Sequence, residues 1–272
     1  MNQTAIKNSF IARAKTLAHV MTRSKNVQVT VSGNSAFNTP GLINIPCGDF
    51  TDNEWLKMVV GWIDHELGHE QHTDDPTYQA FAKTGKLEAH ILNVIEDVWM
   101  EREVGNNFPG ARKNLNELVE IAVKRELFTN PVNTTHPLTA LSSFLLYEGR
   151  SKITGQRCLN DYANTAFSEV EKHFGNKFAS DLQQIVSDIA NVHSTAGATE
   201  ISKRVIQLLK QEKETQEENK KSEEKKSDEN KSNDPQPKDS DSNDDDSNGS
   251  GSDDTQSDET DSNDDDSEES GS

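Results

Sequence analysis

The string HELGH sets His65 and His69 four residues apart, with Glu66 beside the first. On a helix, side chains at i and i+4 project from one face about one turn apart, so both imidazoles can close on a single cation. The ion this pattern points to is Zn²⁺, one per chain. With three protein ligands it keeps a position for water, whose pKa it lowers to about 7, and it polarises a carbonyl that enters there. The adjacent Glu66 faces the same cleft without ligating. It is placed to take a proton from that water and pass it to a leaving amine. The expected reaction is hydrolysis of a peptide bond in a peptide or protein substrate, with Glu66 as the catalytic residue.

A third ligand must come from another element, and three acids compete on the following segment. Glu88 lies nineteen residues after His69, a spacing similar to that of the thermolysin-like and aminopeptidase metallohydrolases. Against it, helical periodicity turns Glu88 toward the apolar stripe of Leu92, Ile95 and Trp99. Asn93, Asp97 and Glu101 recur every four residues on the opposite face, with Glu96 on its flank. An acid on the metal with a second acid one turn later, orienting a histidine, is a common arrangement, and Asp97 with Glu101 would supply it. Asn93 and His72 are further candidates for supporting contacts around the ligands.

The elements that must position these groups are legible from periodicity. Residues 4–23 read as an amphipathic helix, and 27–33 and 42–46 alternate like half-buried strands, suggesting a small antiparallel hairpin or sheet edge. The strand from Leu42 to Pro46 is the expected edge for pairing with an extended substrate. Thr51 and Glu54 have capping-box spacing, with Phe50 and Trp55 as a flanking staple. The metal-binding helix should therefore begin near Asp52, bury Trp55, Val59, Trp62 and Ile63, and end before Pro76. A second long helix is expected over 86–104, and others over 111–128, 137–148, 159–174, 178–192 and 198–210. The fold class this predicts is α+β, predominantly helical, a zincin-like domain with a small β hairpin or sheet.

Composition divides the chain in two. Residues 1–211 hold 21 basic and 23 acidic side chains, whereas 212–272 hold 7 and 24, so the net charge of −19 resides almost wholly in the last segment. After Leu209 there is no aliphatic, aromatic, Met or Cys residue. The expected organisation is a metal-binding domain over 1–211 with a helical C-terminal half, then a disordered acidic Ser/Asp-rich tail or linker over 212–272. Two cysteines without CxxC spacing, no leader-like run and no apolar stretch long enough for a membrane span predict a cytoplasmic protein. A near-neutral folded part without a basic cluster argues against nucleic-acid binding.

The strings GWIDHELGHEQHTD and LNVIEDVWMERE together resemble a bacterial and phage family related to the cobaltochelatase T-subunit, whose members pair HExxH with N-x-x-E-D. NTPGLINIP and HPLTALSSFLLYEGR are similar to that family's flanking segments. The resemblance covers about residues 25–150 and shifts the third ligand to the Glu96–Asp97 pair, one of which should bind. Members usually carry Arg two residues after the E-D pair, where this chain has Trp99. They also continue past an acidic linker into a von Willebrand A-type domain, whereas this chain ends in the linker. The resemblance implies as partners a MoxR-type ring ATPase or a separate A-type domain protein. It opens a second functional expectation, a non-catalytic chelatase-like or ATPase-associated assembly module with a structural or vestigial metal site.

Overall fold

The computed structural model describes residues 3–22 and 27–231. Its elements run α1 (Gln3–Thr22), β1 (Gln28–Val31), β2 (Phe37–Thr39), β3 (Leu42–Ile45), α2 (Asn53–His72), α3 (Asp75–Ala82), α4 (Lys86–Asn107), α5 (Pro109–Lys124), α6 (Pro137–Gly149), α7 (Asn160–Asp188) and α8 (Thr195–Lys231). A π-helical turn, Arg150–Thr154, extends α6. The chain up to Glu224 packs as one compact unit, and the described residues beyond it are the last of α8. No helix among the described residues is long and apolar enough to cross a membrane.

The α+β, predominantly helical expectation holds, but the sheet differs from a hairpin. β3 is central, parallel to β1 and antiparallel to β2, in the order β1-β3-β2. The periodicity of 27–33 and 42–46 marked two strands correctly. It could not show that FNT, inside a turn-rich stretch, forms a third between them. The edge nearest α2 is therefore β2, and the expected substrate-pairing edge at Leu42–Pro46 is occupied on both sides. Asn44 is buried in the sheet, and its amide is consumed by Ser32, Ser35 and the Thr30 hydroxyl.

α2 starts where expected, but its cap is displaced by one residue. Asp52, not Thr51, accepts from the Glu54 backbone N–H (2.8 Å), while Thr51 is bound to Asp49. The staple does not form either: Phe50 lies against Phe10, and Trp55 meets Trp62 edge-on. Pro76, expected to end α2, instead occupies the first turn of α3, a position where its missing N–H costs nothing. The expected helices at 159–174 and 178–192 meet as α7 with a break at Gly175, whose φ of 84° suits only glycine without strain.

Two glycines let α2 approach its neighbours. A Cβ on Gly61 would fall 2.5 Å from Leu118 on α5, and one on Gly68 would fall 2.1 Å from the Met100 sulfur on α4. The core between these helices holds Ile63, Leu67, Ile95, Trp99 and Met100, all essentially inaccessible to water.

α8 continues past 211, where composition predicts loss of order, to Lys231. Residues 212–231 contain no Gly or Pro, and their charges fall at helical spacing, as in the Lys213–Glu217 pair. The rest of the expected tail, 232–272, lies outside the described residues.

Candidate metal centre

α2 and α4 cross where His65 and His69 meet Asp97. His69 Nε2 lies 3.1 Å and His65 Nε2 3.7 Å from the same carboxylate oxygen, Asp97 Oδ1. The three donor atoms lie within 4.8 Å of one another. Ligands about 2.05 Å from a tetrahedral ion are about 3.3 Å apart, so these separations bracket the geometry of a His₂-carboxylate site. The donor chemistry, two imidazoles and one carboxylate, suits a divalent cation with borderline preferences.

The imidazoles are held so that these nitrogens face inward. His65 Nδ1 donates to Glu101 Oε1 at 2.9 Å, and a carboxylate can only accept. His69 Nδ1 lies 3.0 Å from the Thr73 hydroxyl, which in turn bonds to Glu96. With Thr73 donating to Glu96, it accepts from His69 Nδ1. With a cation bound, both rings would turn an Nε2 lone pair to the common point, the tautomer that ligation requires; without it, His69 Nε2 is the donor to Asp97 Oδ1.

Of the E-D pair, the structure brings Asp97 to the histidines and withholds Glu96. Glu96 is fully buried, with one oxygen accepting from the Trp99 indole (2.7 Å) and the other from the Thr195 hydroxyl (2.8 Å). Trp99, at the position where the resemblance expects Arg, thus donates to the neighbouring glutamate. Glu101 stands where expected, oriented toward His65. Glu88 does not approach the histidines; it folds back over Gly85 in the first turn of α4. Asn93 accepts from the Tyr78 hydroxyl (3.1 Å) in a cleft beside Asp97 and touches no ligand. His72 points away, edge-on to Trp99 with its Nε2 buried and unpartnered.

Two residues that spacing did not single out complete the surroundings. Arg150, from the π-helical turn, lies 2.8 Å from Glu101 and 3.8 Å from Asp97. Gln156 donates to the second oxygen of Glu101 at 2.9 Å. Arg150 closes HPLTALSSFLLYEGR, so its segment was visible in the sequence although its role was not.

The local field favours positive charge. Burial pushes the His65 imidazole down, but the Asp97 charge, the hydrogen bond to Glu101 and the charges of Glu101 and Glu66 outweigh it and lift its pKa to about 9. Burial opposes ionisation of Asp97 as well, yet the two histidines and Arg150 hold it down at about 2. Glu66 is only 6% exposed, and burial raises its pKa despite the nearby histidines.

Two clefts meet at this point. One, of about 370 Å³, has apolar walls from Met58, Trp62, Leu118 and Phe128, and reaches His65, Glu66 and Arg150. The other, of about 330 Å³, is polar and carries Tyr78, Gln79 and Asn93. Ala36 lines both, at the start of the β2 edge.

Just outside the centre, Asp64 is buried and held by the Asn114 amide at 2.7 Å. Burial lifts its pKa from 3.8 to about 6, against that hydrogen bond. A carboxylate with a raised folded pKa favours the fold fully below about pH 4 and loses that contribution as pH climbs through 6. At about 1.4 kcal/mol per unit, wild type should lose about 3 kcal/mol over this range relative to Asp64→Asn. Urea unfolding of both metal-free proteins from pH 4 to pH 8 checks this; parallel stability curves would contradict it.

Geometry alone thus defines a candidate divalent-metal centre between two crossed helices. Over residues 8–272 the sequence matches the family described as cobalamin biosynthesis protein CobT, and the chain belongs to that family. No curated protein and no solved structure matches it.

Proposed function

We propose that the chain is a metal-holding assembly module of cobaltochelatase-related type, in which His65, His69 and Asp97 hold one divalent cation, Zn²⁺ by the preference of the donor set. The observation that carries this reading is the family match along nearly the whole chain. In it, Asp97 joins two helices through the cation, Glu101 and Thr73 fix the imidazoles, and Arg150 balances the surplus of carboxylates. A module of this kind works with other subunits, and the partners expected are a ring-forming ATPase of the MoxR type and a von Willebrand A-type domain protein. Co-purification of a ring ATPase with the full chain, together with one divalent cation retained per chain and no peptide cleavage, is the expected result. Failure to retain any divalent metal after purification would remove the centre from the proposal.

A second reading, a zincin-like peptidase, is favoured by one specific observation: Glu66 sits beside the donor set, nearly buried, where an apolar and a polar cleft converge. Bound Zn²⁺ would supply an acidified water and a polarised carbonyl there. Glu66 would accept the proton from that water and deliver it to the leaving amine. The free edge of β2, rather than β3, would pair with an extended substrate across the two clefts. In this reading Glu66→Gln lowers peptide cleavage by about 10²–10⁴-fold while metal content stays at the wild-type level. Equal cleavage by both proteins would exclude Glu66 from the chemistry. A metal-loaded wild type that cuts no peptide yet captures the ATPase would leave only the assembly reading.

A further inference from the structure

Behind Glu101, on the side away from His65, lies a third cavity of about 330 Å³ between α4, α5 and the π-helical turn. Three cations line it, Arg102, Arg112 and Lys152, each from a different one of these elements. The single acid on its wall, Glu101, already has its oxygens engaged by His65, Arg150 and Gln156. Residues 1–211 are close to neutral, with 21 basic and 23 acidic side chains, so three cations against one already engaged acid make this wall locally positive.

The three cations differ in what they can offer. Arg102 is spent on Glu103 and on the carbonyls of Ile189, Ala190 and Val192, so it contributes field but no free donors. Arg112 and Lys152 have no acidic partner among the described residues. Arg112 is nonetheless fixed in place. Its Nη2 donates to Asn106 Oδ1 at 2.6 Å, and its side chain lies over Gly105, where a Cβ would come within 3.1 Å of Nε. With its oxygen so occupied, Asn106 has its amide N–H₂ left to offer as a donor. Lys152 belongs to a π-helical turn, a rare conformation found disproportionately at functional sites.

We infer that this cavity is a binding site for a compact phosphate-class oxyanion, with Arg112 and Lys152 as its principal contacts and Asn106 and Asn116 as neutral donors. A planar carboxylate is satisfied by one bidentate guanidinium, whereas a tetrahedral oxyanion takes donors arriving from several directions, as they do here. The volume also admits the group that carries the phosphate. The site is independent of the metal reading, although its wall shares Glu101 and Gln156 with that centre.

The test uses the full chain, stripped of metal, titrated with inorganic phosphate and pyrophosphate by calorimetry and by amide NMR, with citrate as comparator. Expected are saturable one-to-one binding of pyrophosphate, amide shifts centred on residues 152–156, and about tenfold or greater weakening in each of Lys152→Met and Arg112→Gln. Both substituted side chains are exposed, and the wild-type shift map stands by itself should a variant fold poorly. The inference is overturned by absence of saturable binding below about 10 mM, by shifts centred elsewhere, or by affinity unchanged in the double variant. Tighter binding of citrate than of pyrophosphate would overturn the phosphate assignment.

Discussion

His69→Ala is expected to fold normally and to lose divalent-metal binding. The residue sits in the last turn of α2 with its side chain 14% exposed, so truncation there costs some packing, but Asp97 keeps His65 and Arg150 as partners. The truncation does remove one of only three convergent donors. Loss of an orienting partner costs about 10–100-fold in metal affinity, and loss of a ligand should exceed this, on the order of a thousandfold. Glu101→Gln should fall in the lower range, because His65 loses a charged acceptor but keeps its place. Glu88→Gln should bind as wild type does, since Glu88 turns back on Gly85. Competition against a chromophoric Zn²⁺ chelator measures the whole series. Wild-type affinity in His69→Ala, or a large loss in Glu88→Gln, would contradict the assignment of ligands.

The second large effect is expected at Arg150. Its guanidinium is the counter-charge for the buried Glu101 and the mostly enclosed Asp97, and it is itself 8% exposed. Removing one partner of a buried ionic group leaves the others without compensation and costs about 3–5 kcal/mol. Arg150→Met, similar in length and uncharged, should therefore destabilise the metal-free protein by that amount. For a domain of this size the melting temperature should fall by roughly 10 °C. Saturating Zn²⁺ should narrow the gap, because a cation at the Asp97 oxygen supplies part of the missing positive charge and binds only the folded state. Urea titrations with and without Zn²⁺ measure both quantities. Equal stability of the two metal-free proteins would show that the carboxylates are neutralised by other means.

What the sequence disclosed about this site follows the range of the interactions involved. His65, Glu66 and His69 are close in sequence and share one helix, so four-residue spacing was enough to group them. Asp97 and Glu101 could be assigned to one face of the next long helix by the same periodicity. The choice between Asp97 and Glu96 could not be made locally. It depends on Thr195, about a hundred residues away, whose hydroxyl together with the Trp99 indole draws Glu96 into the core. Arg150 and Gln156 were invisible for the same reason: no periodicity links them to α2 or α4, and their approach depends on a π-helical turn. At the level of the fold, the positions of the longer helices followed from apolar spacing, whereas the two-turn α3 was not expected and β2 escaped notice because its three residues are too few to show a period. The parallel pairing of β1 with β3 is likewise a tertiary outcome.

Gly68 gives the centre a dependence on a residue without chemistry of its own. With the Met100 sulfur and a Val104 methyl already filling the space its Cβ would need, even alanine acts as a wedge between α2 and α4. The next residue is His69, whose reach to Asp97 spans that same gap. Metal–ligand distances tolerate only about 0.2 Å, so a parting of the helices by a fraction of an ångström would loosen the grip on the ion. The bare hydrogen at position 68 thus acts as the gauge of the bite.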